Sequence, residues 1–222
     1  IAGLLDWPNQ FAAQRLPQGG HRCAGRQFYI AIVVRLVVHC LLGQPCCWGR
    51  IRPWPNPVFR LPPKRNPAHL MTFFDLLEQA APKGDTQLVT TLHELSETIR
   101  QRALIVILSD LFIEPEQLRS CFQHLRFRHH DVAIFHLLDP LEISFDFRRP
   151  MRFLDMEGGP SIFAEPNQIA DRYHSAMRTY LDGLRAVVLE SGIDYHRVQL
   201  DENYEQVLTR FLIGRSRQKG AR

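Results

Sequence analysis

Two aspartates stand directly after apolar runs that are typical of buried strands. Asp110 follows residues 103–108 with only Ser109 between them, and Asp139 follows the run that ends at Leu138. In an open parallel sheet, ligands bind outside the carboxyl ends of the strands. Carboxylate oxygens suit a hard cation such as Mg²⁺. The sequence therefore predicts a metal ligand at Asp110, with Ser109 and Asp139 as near-site candidates.

A plain structural role is open to each of these residues as well. An aspartate after a strand can hydrogen-bond nearby backbone amides, and Asp139 before Pro140 would shape the turn. Thr86 precedes a predicted helix and would cap its amino end. Asp85 could fill the same capping role. Asp110 and Thr86 thus remain candidates for either ligand or structural roles, and Asp85 stays a near-site candidate.

Motifs for other chemistries are missing from the sequence. It contains no GxGxxG, Walker or GxSxG motif, so neither nucleotide binding nor a serine-hydrolase mechanism is indicated. Cys121 lies on a predicted helix without an obvious base. His129, His130 and Asp131 lie at the start of a strand, opposite the expected site, and are predicted to form an exposed loop. His136 is predicted to be a hydrogen-bonded structural histidine.

Apolar periodicity predicts the elements that position these residues. Residues 103–108, 131–137 and 193–200 resemble strands, and the first two are apolar enough to be buried on both faces. Helices are predicted at 88–99, from Glu114-Pro115, from about Pro166 to Ser191, and at 204–212. Alternating helices and strands predict an α/β fold with a mostly parallel sheet and helices on both faces. A small hairpin is expected between residues 139 and 165.

The charge of the chain is unevenly distributed. The 222 residues carry a net charge of +4. Residues 1–58 contain six arginines and one acid, whereas residues 59–222 contain 21 basic and 22 acidic side chains. This balance argues against nucleic-acid binding. Since no run of 18 apolar residues occurs, we expect no membrane span, and we expect a soluble cytoplasmic protein.

Residues 1–58 differ in amino-acid composition from the rest of the chain. They contain all three tryptophans and four of the five cysteines, and no acid occurs between Asp6 and Asp75. Residues 49–57 have no strand or helix periodicity, and their prolines disfavour regular pairing. Two explanations are open: a proline-punctuated arm or irregular subdomain, or a stretch read in the wrong frame from GC-rich coding sequence. We favour the second.

Four segments together resemble a bacterial von Willebrand factor A-like family of unknown function. They are LPP…NPAHL (61–70), GDTQL (84–88), IVILSDLF (105–112) and VAIFHLLDP (132–140). Members of that family are typically encoded beside MoxR-type AAA+ ATPases. The resemblance covers about residues 59–213, so it divides the chain into an anomalous segment (1–58), an α/β domain (59–213) and a basic tail (214–222).

The resemblance implies a metal-ion-dependent adhesion site. Such a site takes an Asp-x-Ser-x-Ser motif, a threonine from a second loop and an aspartate after a later strand. Thr86 matches the threonine, Asp110 matches the later aspartate, and Asp6 could hold the first position. Pro8 and Gln10 stand where the two serines should be, so Mg²⁺ binding is implied only in weakened form.

The expected function is therefore a non-enzymatic protein-interaction module. The resemblance implies that it acts with a MoxR-type ATPase in protein maturation or complex assembly, with a Mg²⁺ ion as a possible cofactor. One alternative is a metal-assisted hydrolase that uses Asp110 and Asp139. Another is a truncated or degenerate product that binds no metal.

Overall fold

The computed structural model describes residues 49–51, 59–61, 72, 75, 88–153 and 161–220. Of these, residues 88–153 and 161–201 belong to one compact unit, and residues 49–51, 59–61, 72, 75 and 202–220 belong to a second. In chain order the strands are β1 (Gly49–Ile51), β2 (Phe59–Leu61), β3 (Leu104–Ser109), β4 (Asp131–Leu138), β5 (Met151–Phe153), β6 (Ile162–Ala164) and β7 (Asp194–Gln199). The helices are α1 (Leu88–Thr98), α2 (Pro115–Phe127), α3 (Pro140–Ser144), α4 (Pro166–Glu190) and α5 (Tyr204–Gly220). Within the described residues, no helix is long and apolar enough to cross a membrane.

A three-stranded parallel sheet forms the centre of the first unit, in the order β3-β4-β7. In its register Ile105 lies opposite Val132, and Ile134 lies opposite Tyr195. Every residue of β4 after Asp131 is buried, which means that both faces of this strand are covered. The predicted α/β, Rossmann-like architecture with a parallel sheet flanked by helices is confirmed.

The apolar stripes of α2 and α4 form a core with one face of the sheet. Leu118, Phe122 and Leu125 of α2 are fully buried, and so is Leu184 of α4. They cluster with alternate residues of β4, such as Ile134, because side chains two apart on a strand share a face. Each such burial stabilises the fold by about 1.5–3 kcal/mol.

The segment between β4 and α4 contains the predicted hairpin. Strands β5 and β6 pair antiparallel, with Arg152 opposite Phe163. Three phenylalanines before and within it are buried, and their rings contact one another: Phe145, Phe147 and Phe153. Tyr173 of α4 stacks on Phe145 with ring centroids 4.2 Å apart. This aromatic cluster packs the segment between β4 and α4 against the amino-terminal part of α4.

Two sequence-based predictions need correction in the second unit. Gly49–Ile51 do pair, antiparallel to Phe59–Leu61, because the prolines that disfavour pairing all lie between the two strands in sequence. The last helix, predicted to end near residue 212, continues through Gly214 to Gly220, so much of the predicted tail is helical. A Cβ added at Gly214 would meet no atom within 4 Å, so no close packing at this position requires a glycine.

Candidate functional site

The carboxyl edge of the sheet carries the predicted aspartates. Strand β3 ends at Ser109, opposite His136 of β4, and β4 continues to Leu138. Asp110 follows β3 directly and is partly buried. Because parallel strands share a direction, these strand ends lie at one edge, where ligands bind in open α/β sheets.

Side chains fix both polar atoms of the peptide group that joins Asp110 to Leu111. The Leu111 amide donates to Ser109 Oγ at 3.1 Å, and His136 Nε2 lies 2.8 Å from the Asp110 carbonyl oxygen. Leu111 has a φ of +52°, a left-handed conformation that costs an ordinary residue about 1–2 kcal/mol. Its side chain is fully buried, and that burial together with the hydrogen bonds offsets the strain.

The hydrogen bonds of His136 define its tautomer. The Asp110 carbonyl oxygen can only accept, so His136 Nε2 carries a hydrogen and donates it. The opposite ring nitrogen, Nδ1, lies 2.6 Å from the hydroxyl of Tyr195 on β7. Burial raises the pKa of Tyr195 to about 12, so this hydroxyl keeps a proton that it can donate to Nδ1. A His136 imidazole with its hydrogen on Nε2 satisfies both contacts inside a fully buried site.

Tyr180 of α4 holds the next carbonyl of the same loop. Its hydroxyl donates to the Leu111 carbonyl oxygen, and its ring meets the His136 ring edge-on, with centroids 6.5 Å apart. Burial, followed by the nearby Asp110 charge, raises the Tyr180 pKa well above its ordinary value. The loop after β3 is thus held from two other elements, β4 and α4.

Asp139 caps helix α3. Its Oδ1 accepts from the Leu141 amide at 2.8 Å, and Glu142 Oε2 accepts from the Asp139 amide at 2.8 Å. The Asp139 side chain also accepts from the Glu142 amide, and this bond together with the one from the Asp139 amide to Glu142 forms a capping box. Tyr173 on α4 also donates to the backbone oxygen of Glu142 at 2.6 Å. The turn-shaping role open to Asp139 in the sequence is therefore the role observed.

The structure tests the predicted metal ligands only in part. Asp6, Asp85 and Thr86 lie outside the described residues. Asp110 and Ser109 are adjacent at the edge, but the Ser109 hydroxyl already accepts the Leu111 amide. In the described ranges, no three His, Cys, Asp or Glu side chains are grouped to hold a metal ion. Asp110 supplies one hard carboxylate, which fits Mg²⁺.

The prediction of an exposed loop at residues 129–131 is correct for His129 and wrong for His130, and Asp131 is the half-buried first residue of β4. His130 is 1% exposed, and its Nδ1 lies 3.3 Å from the Ala103 amide. Burial, and then the positive charge of Arg128, lowers the pKa of His130. Because β4 is buried at every position after Asp131, no alternation of polar and apolar residues in the sequence signals the burial of His130.

A polar cluster between α1 and α2 was not predicted. The buried hydroxyl of Ser96 donates to the His93 carbonyl oxygen at 2.7 Å and lies 2.9 Å from His124 Nδ1. His124 Nε2 lies 3.0 Å from a carboxylate oxygen of Glu97. The two histidines face each other, with their Nδ1 atoms 3.3 Å apart. The residues concerned are about 30 positions apart in sequence, and nothing in local periodicity signals their contact.

Cys121 is a buried packing residue of α2. Its Sγ lies 3.7 Å from the carbonyl oxygen of Val89 on α1. Burial raises the pKa of its thiol, which lowers the thiolate fraction that nucleophilic chemistry requires. The sequence-based view that Cys121 lacks an activating base agrees with these surroundings.

Comparison with known proteins identifies a family. A family model described as "Protein of unknown function DUF58" matches residues 51–180, which is more than half of the chain. No curated protein matches significantly. No solved structure matches either. The matched range includes β3, α2, β4, the hairpin and the part of α4 that carries Tyr180. The chain belongs to the DUF58 family.

Proposed function

We propose that this chain is a non-enzymatic protein-interaction module of the von Willebrand factor A-like kind, and that its partner docks at the carboxyl edge of the sheet. One observation carries the proposal. Asp110 follows β3 at that edge, in a loop whose backbone is fixed by Ser109, His136 and Tyr180. A rigid loop presents a carboxylate in one orientation, and such preorganisation favours binding.

Asp110 would hold a Mg²⁺ ion, and Thr86 and Asp6 are the proposed further ligands. When bound, the ion would offer an open coordination position to a carboxylate of the partner. The chain itself contributes the fixed loop and the partly buried surroundings of Asp110. In this environment a charge interaction is stronger than at a fully hydrated surface.

A MoxR-type AAA+ ATPase is the proposed partner, in protein maturation or complex assembly. The support is the sequence resemblance together with the membership of the DUF58 family. The alternative of a hydrolase that uses Asp110 and Asp139 is less well supported. Asp139 Oδ1 accepts the Leu141 amide as a helix cap, so this oxygen is engaged in a structural role.

A binding experiment tests this proposal directly. The full chain is immobilised, and a purified MoxR-type ATPase is passed over it without nucleotide. The buffer contains either about 5 mM Mg²⁺, to saturate a site of ordinary Mg²⁺ affinity, or EDTA. We expect binding in Mg²⁺, and a loss of at least tenfold (about 1.4 kcal/mol) in Asp110→Asn. Asp171→Asn is the matched control, because Asp171 is exposed on α4.

The outcomes separate the possible functions. Binding that is equal in EDTA and unaffected by Asp110→Asn would contradict the proposed site. Turnover of phosphoesters that disappears in both Asp110→Asn and Asp139→Asn would favour the hydrolase instead. Retained binding in the Asp171→Asn control shows that a loss in Asp110→Asn is specific to that carboxylate.

A further inference from the structure

We infer that His136 and Tyr180 are positioning residues for Asp110, and that they set how strongly the carboxyl edge binds a divalent cation. The inference rests on the proposed function for its binding part and on the geometry alone for its structural part. Neither residue is a metal-ligand candidate. Both act on the Asp110 loop through its backbone carbonyl oxygens.

The two contacts restrain consecutive carbonyls. His136 Nε2 donates to the Asp110 carbonyl oxygen at 2.8 Å, and the Tyr180 hydroxyl donates to that of Leu111. Ile113 closes the loop with an amide contact of 2.5 Å to the same Leu111 oxygen. The backbone on both sides of the Leu111 Cα is therefore fixed in the strained φ of +52°, and the Cα–Cβ direction of Asp110 is fixed with it.

The donors come from buried and independently anchored elements. His136 is fully buried on the central strand, and Tyr180 is 8% exposed on the apolar stripe of α4. Tyr195 on β7 restrains the His136 ring through its second nitrogen at 2.6 Å. The loop position is thus tied to three elements of the core, and it cannot shift without breaking a buried hydrogen bond and leaving a buried polar group unsatisfied.

Strain explains why both donors matter. A leucine with a positive φ returns to an ordinary conformation unless the surroundings prevent it. Without the Tyr180 hydroxyl or the His136 donor, one of the two peptide groups that flank the Leu111 Cα loses a hydrogen bond that opposes this relaxation. Outer residues that orient a ligand typically change metal affinity by about 10- to 100-fold when they are removed. We expect that range for Asp110.

The experiment uses the full chain and four variants. Tyr180→Phe removes only a hydroxyl, His136→Leu removes the ring donor, and His136→Gln restores an N–H near the Nε2 position. Tyr204→Phe is the control, because Tyr204, at the start of α5, makes none of the loop contacts described above. Two readouts are taken: hydrogen exchange of the Leu111 and Ile113 amides, and Mg²⁺ affinity measured by titration with the metal alone.

Exchange at Leu111 and Ile113 should rise about tenfold in Tyr180→Phe and His136→Leu, since one net hydrogen bond is worth about 1 kcal/mol or slightly more. Exchange within β4 should change less than in the loop, and His136→Gln should restore protection. Mg²⁺ affinity should fall at least tenfold in the first two variants and recover in His136→Gln. Tyr204→Phe should change neither readout.

Two results are distinguishable. Unchanged loop exchange in Tyr180→Phe and His136→Leu would overturn the inference, whatever the metal does. A wild-type chain that binds no Mg²⁺, but whose loop loosens in these variants, would contradict the proposed function and leave the positioning role supported. If His136→Leu does not fold, Tyr180→Phe decides the question, because it preserves the ring that packs in the core.

Discussion

Ser96 joins α1 to α2 through His124, since its buried hydroxyl lies 2.9 Å from the His124 Nδ1 atom. The same hydroxyl donates to the His93 carbonyl oxygen at 2.7 Å. Arg128 Nε, just beyond α2, donates to the Ser96 carbonyl oxygen at 3.3 Å. Ser96 thus makes one contact within α1 and two contacts to α2 and the residue that follows it.

Ser96→Ala is expected to lower the free energy of unfolding by about 1–2 kcal/mol, because it leaves the His124 nitrogen without this buried partner. Urea unfolding measures the change. Ser120→Ala on α2 is the matched control, since Ser120 is exposed and its hydroxyl donates to a carbonyl of its own helix. This substitution should change stability by less than about 0.5 kcal/mol. Equal effects of the two substitutions would refute the linking role of Ser96.

Gly192 and Gly183 should respond in opposite directions to replacement by alanine. Gly192 has a φ of +61°, so alanine there should destabilise by about 1–2 kcal/mol. Gly183 lies inside α4, where an added Cβ would make an ordinary contact of 3.5 Å with Pro115. Alanine there should stabilise by about 0.5–1 kcal/mol. Thermal unfolding of both variants checks the signs; two shifts of the same sign would contradict this assignment.

His130 should weaken the fold as the pH falls. Burial, and then the charge of Arg128, lowers its pKa in the folded chain below the ordinary value of 6.5. The unfolded chain therefore binds the proton more readily, so the contribution is present above about pH 6.5 and is lost as the pH falls below that value. His130→Asn keeps an acceptor for the Ala103 amide but does not titrate.

We expect the unfolding free energy to fall less steeply in His130→Asn than in the wild type between about pH 7.5 and about pH 5.5, a range that spans the ordinary histidine pKa. Because the chain has ten histidines, only the difference between the two curves is informative. His129→Asn is the control, since His129 is exposed. Parallel curves for wild type and His130→Asn would rule out this contribution.

Cys121 should resist alkylation in the folded protein. Burial raises its thiol pKa and shields the sulfur, so iodoacetamide should modify it at least about tenfold more slowly than in denaturant. Mass spectrometry of the peptide that contains Cys121 separates it from the four other cysteines. A native rate close to the denatured rate would show that α1 does not cover the sulfur.

Asp139 should behave as a cap and not as a metal ligand. Asp139→Ala should cost about 1 kcal/mol of unfolding free energy through the lost bond to the Leu141 amide. Asp139→Asn should keep most of that stability. Mg²⁺ affinity, if the chain has it, should be the same in both variants and the wild type. A drop in affinity with Asp139→Asn would assign this carboxylate to the metal site instead.

The sheet and its helices could be predicted because their signals are local. The run at residues 132–138 is apolar at every position except His136, and β4 is buried on both faces as such a run requires. Pro166 marks the observed start of α4, and the predicted end at Ser191 is within one residue of Glu190. Proline at the first turn and a short β-branched run are both readable without knowledge of the tertiary structure.

The network around the candidate site could not be predicted, because its contacts connect distant parts of the chain. Tyr180 and Leu111 are 69 positions apart, and His136 and Tyr195 are 59 apart. Periodicity places Tyr180 on the apolar stripe of the predicted helix from about Pro166 to Ser191, but it does not indicate what the Tyr180 hydroxyl binds. The positive φ of Leu111 carries no sequence signal, since glycine or asparagine is the usual residue in that conformation.

The register of the parallel sheet has a consequence for the order of folding. Ile105 pairs with Val132 about 27 positions later, whereas Ala133 pairs with Asp194 about 61 positions later. Closing the longer loop costs about 0.7 kcal/mol more chain entropy, and α2 lies within the shorter one. We expect β3, α2 and β4 to assemble first, also because they leave the ribosome first. Strand β7 would then complete the sheet last.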